Sequence, residues 1–193
     1  MLVLQAAALF ACSGTSATDG PAIAGKPDIE CGEEHTLVAT PSAKGLEQWC
    51  DQGGLMDGPY LLKFPNGKRA VKGSYAQNLE DGDWWAWYDN GQERYQGKYN
   101  KAKKTGPWTS WHSNGNRAEE GDYLQNRKIG QWTTWYESGH KREEGLYQND
   151  SKNGTWLYYN DDEANAVAKT EKWENGQVTE TKGTDPVVSP PAP

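Results

Sequence analysis

The chain has 193 residues, a formal net charge of −7, and ten Trp and ten Tyr beside only two Phe. Only 35% of its residues are hydrophobic, so aliphatic side chains cannot supply the core and the aromatics must. Lys and Arg are mixed with Asp and Glu along the chain instead of gathered into a stripe, which excludes a nucleic-acid partner, since that needs a basic face to displace counterions.

Residues 1–11, Met-Leu-Val-Leu-Gln-Ala-Ala-Ala-Leu-Phe-Ala, are apolar but too short to span a bilayer, which takes about 20 such residues. They are expected to be a signal peptide. Leu9-Phe10-Ala11-Cys12 resembles a bacterial lipobox, in which a small residue precedes a cysteine lipidated after cleavage. That resemblance makes Cys12 a lipid anchor and residues 12–30, rich in Gly, Ser, Thr, Pro and Ala, a flexible tether. Phe10 stands where a small residue is commoner, and no Lys or Arg precedes Cys12. The second departure leads to the expectation of a true start farther upstream. Cleavage at a later small residue such as Ala17, or an apolar N-terminus without an export role, stays open.

With Cys12 lipidated, Cys31 and Cys50 remain as a pair. An oxidising envelope would join them, closing a loop worth about 3 kcal/mol; in a cytosolic protein both would be free thiols. No Cys-x-x-Cys or Cys/His spacing suggests a metal. Residues 31–57, with Leu37-Val38-Ala39, Trp49 and Cys50, are expected to form a small disulfide-bounded, strand-bearing cap on the first repeat.

Residues 58–178 repeat. Gly58, Gly82, Gly106, Gly130 and Gly154 recur every 24 residues, each followed two positions later by Tyr60, Trp84, Trp108, Trp132 or Trp156. A second glycine keeps the step at Gly73, Gly97, Gly121 and Gly145, with Tyr75, Tyr99, Tyr123 and Tyr147 two residues on. Such a period marks stacked units, each unable to bury its apolar face alone. Within a unit, two runs of about seven residues flank Asn66-Gly67, Asn90-Gly91 or Asn114-Gly115, replaced by Ser138-Gly139 in the next copy. Asn-Gly suits a tight hairpin in which both turn residues take positive φ. Each repeat is therefore read as one β-hairpin. The expected fold is all-β, a single elongated, twisted antiparallel meander of about five hairpins with the cap at its N-terminal end. Trp84 and Trp87, Trp108 and Trp111, and Trp132 and Trp135 are three apart, so either both faces carry aromatics or a bulge at the glycine end brings each pair together. Residues 179–193 are expected to be a disordered, proline-rich tail.

Gly82-Asp83-Trp84-Trp85-Ala86-Trp87-Tyr88-Asp89-Asn90-Gly91 followed by Gly97-Lys98-Tyr99 resembles MORN repeats, and more closely their bacterial variant, over residues 58–160. The first copy departs with Lys63-Phe64 in place of Trp-Tyr, and the fifth replaces a clean Asn-Gly turn with Asn160-Asp161-Asp162-Glu163-Ala164-Asn165. Worn terminal units are expected of caps. The whole layout, Cys12, tether, Cys pair and repeats, resembles myxobacterial envelope lipoproteins. Bacterial members of the repeat family carry an antitoxin-like label, and eukaryotic ones are associated with membrane contacts and protein assembly.

No catalytic constellation is present. His35, His112 and His140 form no pattern, and His112 takes the place of Tyr88 and Tyr136 in adjacent copies, a structural position. Asn149-Asp150-Ser151-Lys152-Asn153-Gly154 opens like a calcium loop, but the acid needed at its twelfth position is Asn160. Glu119-Glu120 and Glu143-Glu144 are consecutive and face opposite sides of a strand. Trp87, Trp111 and Trp135 are the candidate binding surface, able to stack sugar rings, a peptide or another copy of the sheet if exposed, and otherwise part of the core. The expectation is a non-enzymatic, lipid-anchored envelope protein, in the outer membrane or else periplasmic or secreted, without cofactor or metal. Its partner would be an envelope protein or glycan. The alternative is a cytosolic antitoxin-type inhibitor of a partner toxin.

Overall fold

A computed structural model describes residues 28–183; the expected signal peptide, Cys12, nearly all of the tether and residues 184–193 lie outside the described residues. The described chain is one open antiparallel sheet of 14 strands: β1 (Thr36–Ser42), β2 (Gly45–Gln52), β3 (Leu55–Lys63), β4 (Arg69–Ala76), β5 (Leu79–Glu80), β6 (Gly82–Trp87), β7 (Glu93–Asn100), β8 (Lys103–Trp111), β9 (Arg117–Leu124), β10 (Arg127–Trp135), β11 (Lys141–Gln148), β12 (Ser151–Tyr159), β13 (Val167–Glu174) and β14 (Gln177–Gly183). Neighbours in sequence are neighbours in the sheet, and β5 with β6 forms one strand interrupted at Asp81, both paired to β4. The all-β meander is as expected. The hairpin of β1 and β2 continues the same sheet beyond the repeats, and residues 179–183, read as the start of the tail, belong to β14.

The two edges of the sheet are turned differently, and the Asn-Gly reading needs correction. At Asn90-Gly91 only the glycine has positive φ, and the Gly91 N–H donates to the Tyr88 carbonyl in a β-turn. The same holds at Gly67, Gly115 and Gly139. The tight turns with two successive positive-φ residues are those at the other edge: Gly53-Gly54, Gln77-Asn78, Lys101-Ala102, Gln125-Asn126, Asn149-Asp150 and Asn175-Gly176, the last an Asn-Gly pair, the I′-like geometry that matches strand twist. Asn66, Asn90 and Asn114 act through their side chains instead. Each Oδ1 accepts the N–H two residues on, while Nδ2 donates to a carbonyl in the next turn, Asp89, Ser113 and Glu137 respectively. One asparagine thus shapes its own turn and ties it to the neighbouring repeat.

Core packing explains the second glycine of each unit. Trp84, Trp108, Trp132 and Trp156 are 1–5% exposed, and each indole lies flat on the glycine eleven residues earlier. A Cβ on Gly73, Gly97, Gly121 or Gly145 would come within 2.1–2.4 Å of the indole, where van der Waals contact needs about 3.5–4.0 Å. Between the indoles stand the tyrosines. Tyr60, Tyr75, Trp84, Tyr99, Trp108, Tyr123, Trp132, Tyr147 and Trp156 form one unbroken series of edge-to-face contacts, with centroids 5.0–6.0 Å apart and planes at 79–89°. This arrangement sets the positive edge of one ring on the negative face of the next.

The ladder is closed at its C-terminal end by a carboxylate. Glu171 pairs with Trp156 in the register that Gly145 holds opposite Trp132, so no further indole can lie down there. It is buried, and accepts hydrogen bonds from Tyr158 Oη (2.7 Å) and Trp173 Nε1 (3.1 Å) while pairing with Lys169 (2.8 Å). The Lys169 ammonium, ahead of the opposing cost of burial, holds this carboxyl below the ordinary glutamate range. At the N-terminal end Cys31 and Cys50 form a disulfide with Cα atoms 5.6 Å apart, beside a small aliphatic cluster of Ile29, Leu61 and Leu37.

Candidate functional site

Both faces of the sheet carry aromatics, the first of the two expected alternatives. The register runs from Trp108 opposite Gly121 to Ser110 opposite Glu119, and the shift before Trp111 opposite Arg117 is taken up by an extra residue in β9, so β8 itself stays regular and alternation puts Trp111 on the face away from the ladder. Trp87 in β6 and Trp135 in β10 are placed in the same way. The ladder residues Glu119 and Glu143 and their neighbours Glu120 and Glu144 divide between the faces as their sequence spacing implies.

One bulged residue in each returning strand, Ala70, Arg94, Ala118 and Arg142, shifts the register beside the long turns. This raises the local twist where the second row of aromatics sits. Trp87, Trp111 and Trp135 are half-buried. Their rings make no ring contact with one another among the described residues, because successive ones are two strands apart, about 10 Å. They are therefore separate platforms.

The backbone beneath these platforms is pinned by the residue that follows each tryptophan. Tyr88 Oη donates to the Trp111 carbonyl (2.8 Å), His112 Nε2 lies 3.0 Å from the Trp135 carbonyl, and Tyr136 Oη donates to the Tyr159 carbonyl (3.0 Å). His112 is thus a structural substitute for tyrosine. Polar groups stand between the platforms on the same face: the Glu120–Arg117 pair (3.0 Å), the Glu144–Lys141 pair (2.8 Å) and Gln96. The Arg117 guanidinium also lies 5.8 Å from the Trp135 ring centre. Sequence reasoning passed over Trp85, which shares this face, lies under Lys72 and lines a recess of about 310 Å³ with Gln96 and Pro107. Its position between Trp84 and Ala86, both buried, is the alternating signal that marks it.

The ladder face has different chemistry. Lys104, Lys128 and Lys152 keep the 24-residue step and set their ammonium groups 4.2, 4.0 and 3.8 Å from the ring centres of Trp108, Trp132 and Trp156. Each lysine stem covers the indole while its charge rests on the π face, an attraction worth about 0.5–2 kcal/mol. Burial raises the pKa of the ladder tyrosines, to about 12 at Tyr75, Tyr99 and Tyr123. The lysine step is legible in the sequence, but it escapes notice because charged residues read as a solvated face.

Among the described residues no group of His, Cys, Asp and Glu could hold a metal ion. The asparagine-rich turn from Asn149 is a tight turn in which Asp150 Oδ1 accepts the Lys128 N–H at 2.8 Å. His140 pairs with Asp161 at 3.1 Å across adjacent turns, and His35 lies 3.8 Å from Asp57. The three histidines are thus not brought together.

Residues 104–125 and 128–149 match the MORN repeat variant. The two segments are 22 residues long and one 24-residue step apart at the centre of the sheet, each running from the lysine of one repeat to the tight turn that ends it. No curated protein matches the chain.

Proposed function

We propose that this protein is a non-enzymatic envelope lipoprotein, tethered through Cys12, whose repeat sheet presents the face of Trp87, Trp111 and Trp135 to an extended envelope glycan or protein segment. The observation that supports it is the row itself. Three half-buried indoles, one repeat apart, alternate with carboxylate, amide and guanidinium groups on a face that the core does not need. Core burial is completed on the other side by the Trp and Tyr ladder. A row of separate rings interleaved with hydrogen-bonding groups suits a polymer of sugar rings, whose C–H faces stack on indole while hydroxyls meet the polar groups. The platform interval of about 10 Å, two strand spacings, is close to a disaccharide step in an extended β-linked chain.

The Cys31–Cys50 disulfide supports an oxidising compartment over the cytosol, and weighs against an antitoxin-type inhibitor. The test combines two variants. Sedimentation with insoluble cell-wall glycan should retain the protein, and Trp87→Ala/Trp111→Ala/Trp135→Ala should lose at least about tenfold in retention, or about 1.4 kcal/mol, with its far-UV circular dichroism unchanged. Cys12→Ala should move the protein from the membrane fraction to the soluble one. Undiminished glycan retention by the triple variant refutes the surface, and an unaltered fraction for Cys12→Ala refutes the anchor.

A further inference from the structure

The repeats supply their own internal comparison on the ladder face. Lys128 forms an ion pair with Glu119, and Lys152 pairs with Glu143 at 2.8 Å. Glu119 and Glu143 occupy equivalent register positions, opposite Thr134 and Tyr158. One repeat earlier that position, opposite Ser110, is Tyr95. Lys104 therefore sits on the Trp108 and Tyr123 rings, at 4.2 and 4.9 Å, with no carboxylate in ion-pair reach among the described residues. A cavity of about 140 Å³ opens at this place, lined by Tyr95, Lys104, Trp108, Ser110, Glu119 and Tyr123 among others.

We propose that this cavity is a binding site for a single carboxylate on a short apolar stem, which takes the place and the charge that Glu119 and Glu143 hold beside the next two lysines. Four features select that chemistry. No carboxylate pairs directly with the Lys104 ammonium as Glu119 and Glu143 do with its two equivalents; burial makes its charged form costlier than in water, and the Glu119 carboxylate, held by Lys128, offsets that only from beyond ion-pair distance, so an anion beside it recovers energy that the aromatic faces supply only in part. The Ser110 hydroxyl stands in the same recess as a donor. The walls of Tyr95, Trp108 and Tyr123 accept a methylene stem, as they would a glutamate side chain. The Glu119 carboxylate, already engaged by Lys128, repels a second negative charge, so a monoanion fits and a dianion or phosphate does not.

Such a carboxylate can come from a free short-chain acid or from an acidic side chain of a peptide, and the experiment separates the two. The ¹H–¹⁵N signals of the ten tryptophan indoles are followed while sodium propionate, or a blocked tripeptide with a central glutamate, is added at constant ionic strength. Saturable shifts confined to the indoles around the cavity, Trp108 and Trp132, are expected, and lost at least tenfold in affinity in Lys104→Met. Tyr95→Glu, which rebuilds the ion pair of the neighbouring repeats, should abolish them while leaving the fold intact, and keeps the proposal open to refutation should Lys104→Met unfold. Tenfold tighter binding of the tripeptide assigns the site to an acidic peptide; equal affinity assigns it to the free acid. The proposal is overturned by shifts that sodium chloride reproduces, by shifts that persist in the folded variants, or by the absence of a saturable response to both ligands. It stands apart from the indole row on the opposite face, so failure of either leaves the other intact.

Discussion

Replacing Gly121 by alanine probes the contact on which every repeat depends. The added Cβ would lie 2.2 Å from Trp132 Cδ2 and 2.3 Å from Cε2, so the indole must lift by about 1.5 Å to restore van der Waals distance. It is held where it is. Nε1 donates to the Asp122 carbonyl (3.2 Å) and the Ile129 carbonyl (3.1 Å), and the ring meets Tyr123 and Tyr147 edge-on. Breaking the two hydrogen bonds costs about 1 kcal/mol each, and overpacking adds about 1–3 kcal/mol. Alanine returns about 0.5–1 kcal/mol by restricting the unfolded backbone, which leaves a net loss of about 2–4 kcal/mol. Urea unfolding followed by far-UV circular dichroism measures it. In a Trp132→Leu background the clash is gone, so the same change should cost little and the double-mutant coupling should reach about 2 kcal/mol. Coupling below about 0.5 kcal/mol would refute the reasoning. Gly130→Ala is the control: nothing lies near its Cβ but φ is +68°, so its loss of about 1–2 kcal/mol is backbone strain and should not depend on Trp132.

Four other outcomes are expected. Asn114→Ala removes the bonds to Asn116 N–H and the Glu137 carbonyl and should lower stability by about 1–2 kcal/mol, whereas Asn114→Asp, which keeps the acceptor, should lose about half as much; thermal unfolding distinguishes them. Because Tyr75, Tyr99 and Tyr123 have folded pKa values raised to about 12 from about 10 when unfolded, the folded state holds their protons more tightly. The stability they contribute is fully present below pH 10 and is lost as pH rises from 10 through 12. Absorbance at 295 nm should therefore show these tyrosines ionising only as the sheet unfolds, and ordinary titration at pH 10 of all ten would contradict the buried ladder. Reduction of Cys31–Cys50 should cost about 3 kcal/mol, measured as a fall in Tm with dithiothreitol. Trp111→Ala should leave stability far closer to wild type than Trp108→Ala, since Trp108 is 5% exposed and lies in the ladder; equal losses would mean that both faces are core.

The strand order and the hairpins were legible because the period of 24 carries a glycine, an aromatic and a turn signal at fixed offsets, and neighbours in sequence have no other way to bury their rings than to pair. The long turns were located correctly by Asn-Gly, but their geometry was not. The asparagine's useful groups reach into the next turn, a contact across 23 residues that turn chemistry within the pair cannot reveal. The Trp-x-x-Trp spacing left the faces undecided for the same kind of reason. Only the register shows that the strand stays regular from Trp108 to Trp111 while the extra residue sits in the returning strand at Ala118.

By itself, then, the sequence determined an all-β meander with a repeated aromatic core, the likeness to the MORN variant, the pairing of Cys31 with Cys50 given an oxidising compartment, and the structural place of His112. Those rest on composition and period, which are properties of the chain read along its length. Tertiary structure alone decided that each indole lies on a glycine of the preceding repeat, that the aromatics divide into a closed ladder and an open row, and that Lys104 lacks the glutamate its equivalents have. These depend on which residues become neighbours across strands, and a one-residue difference in register would exchange one face for the other.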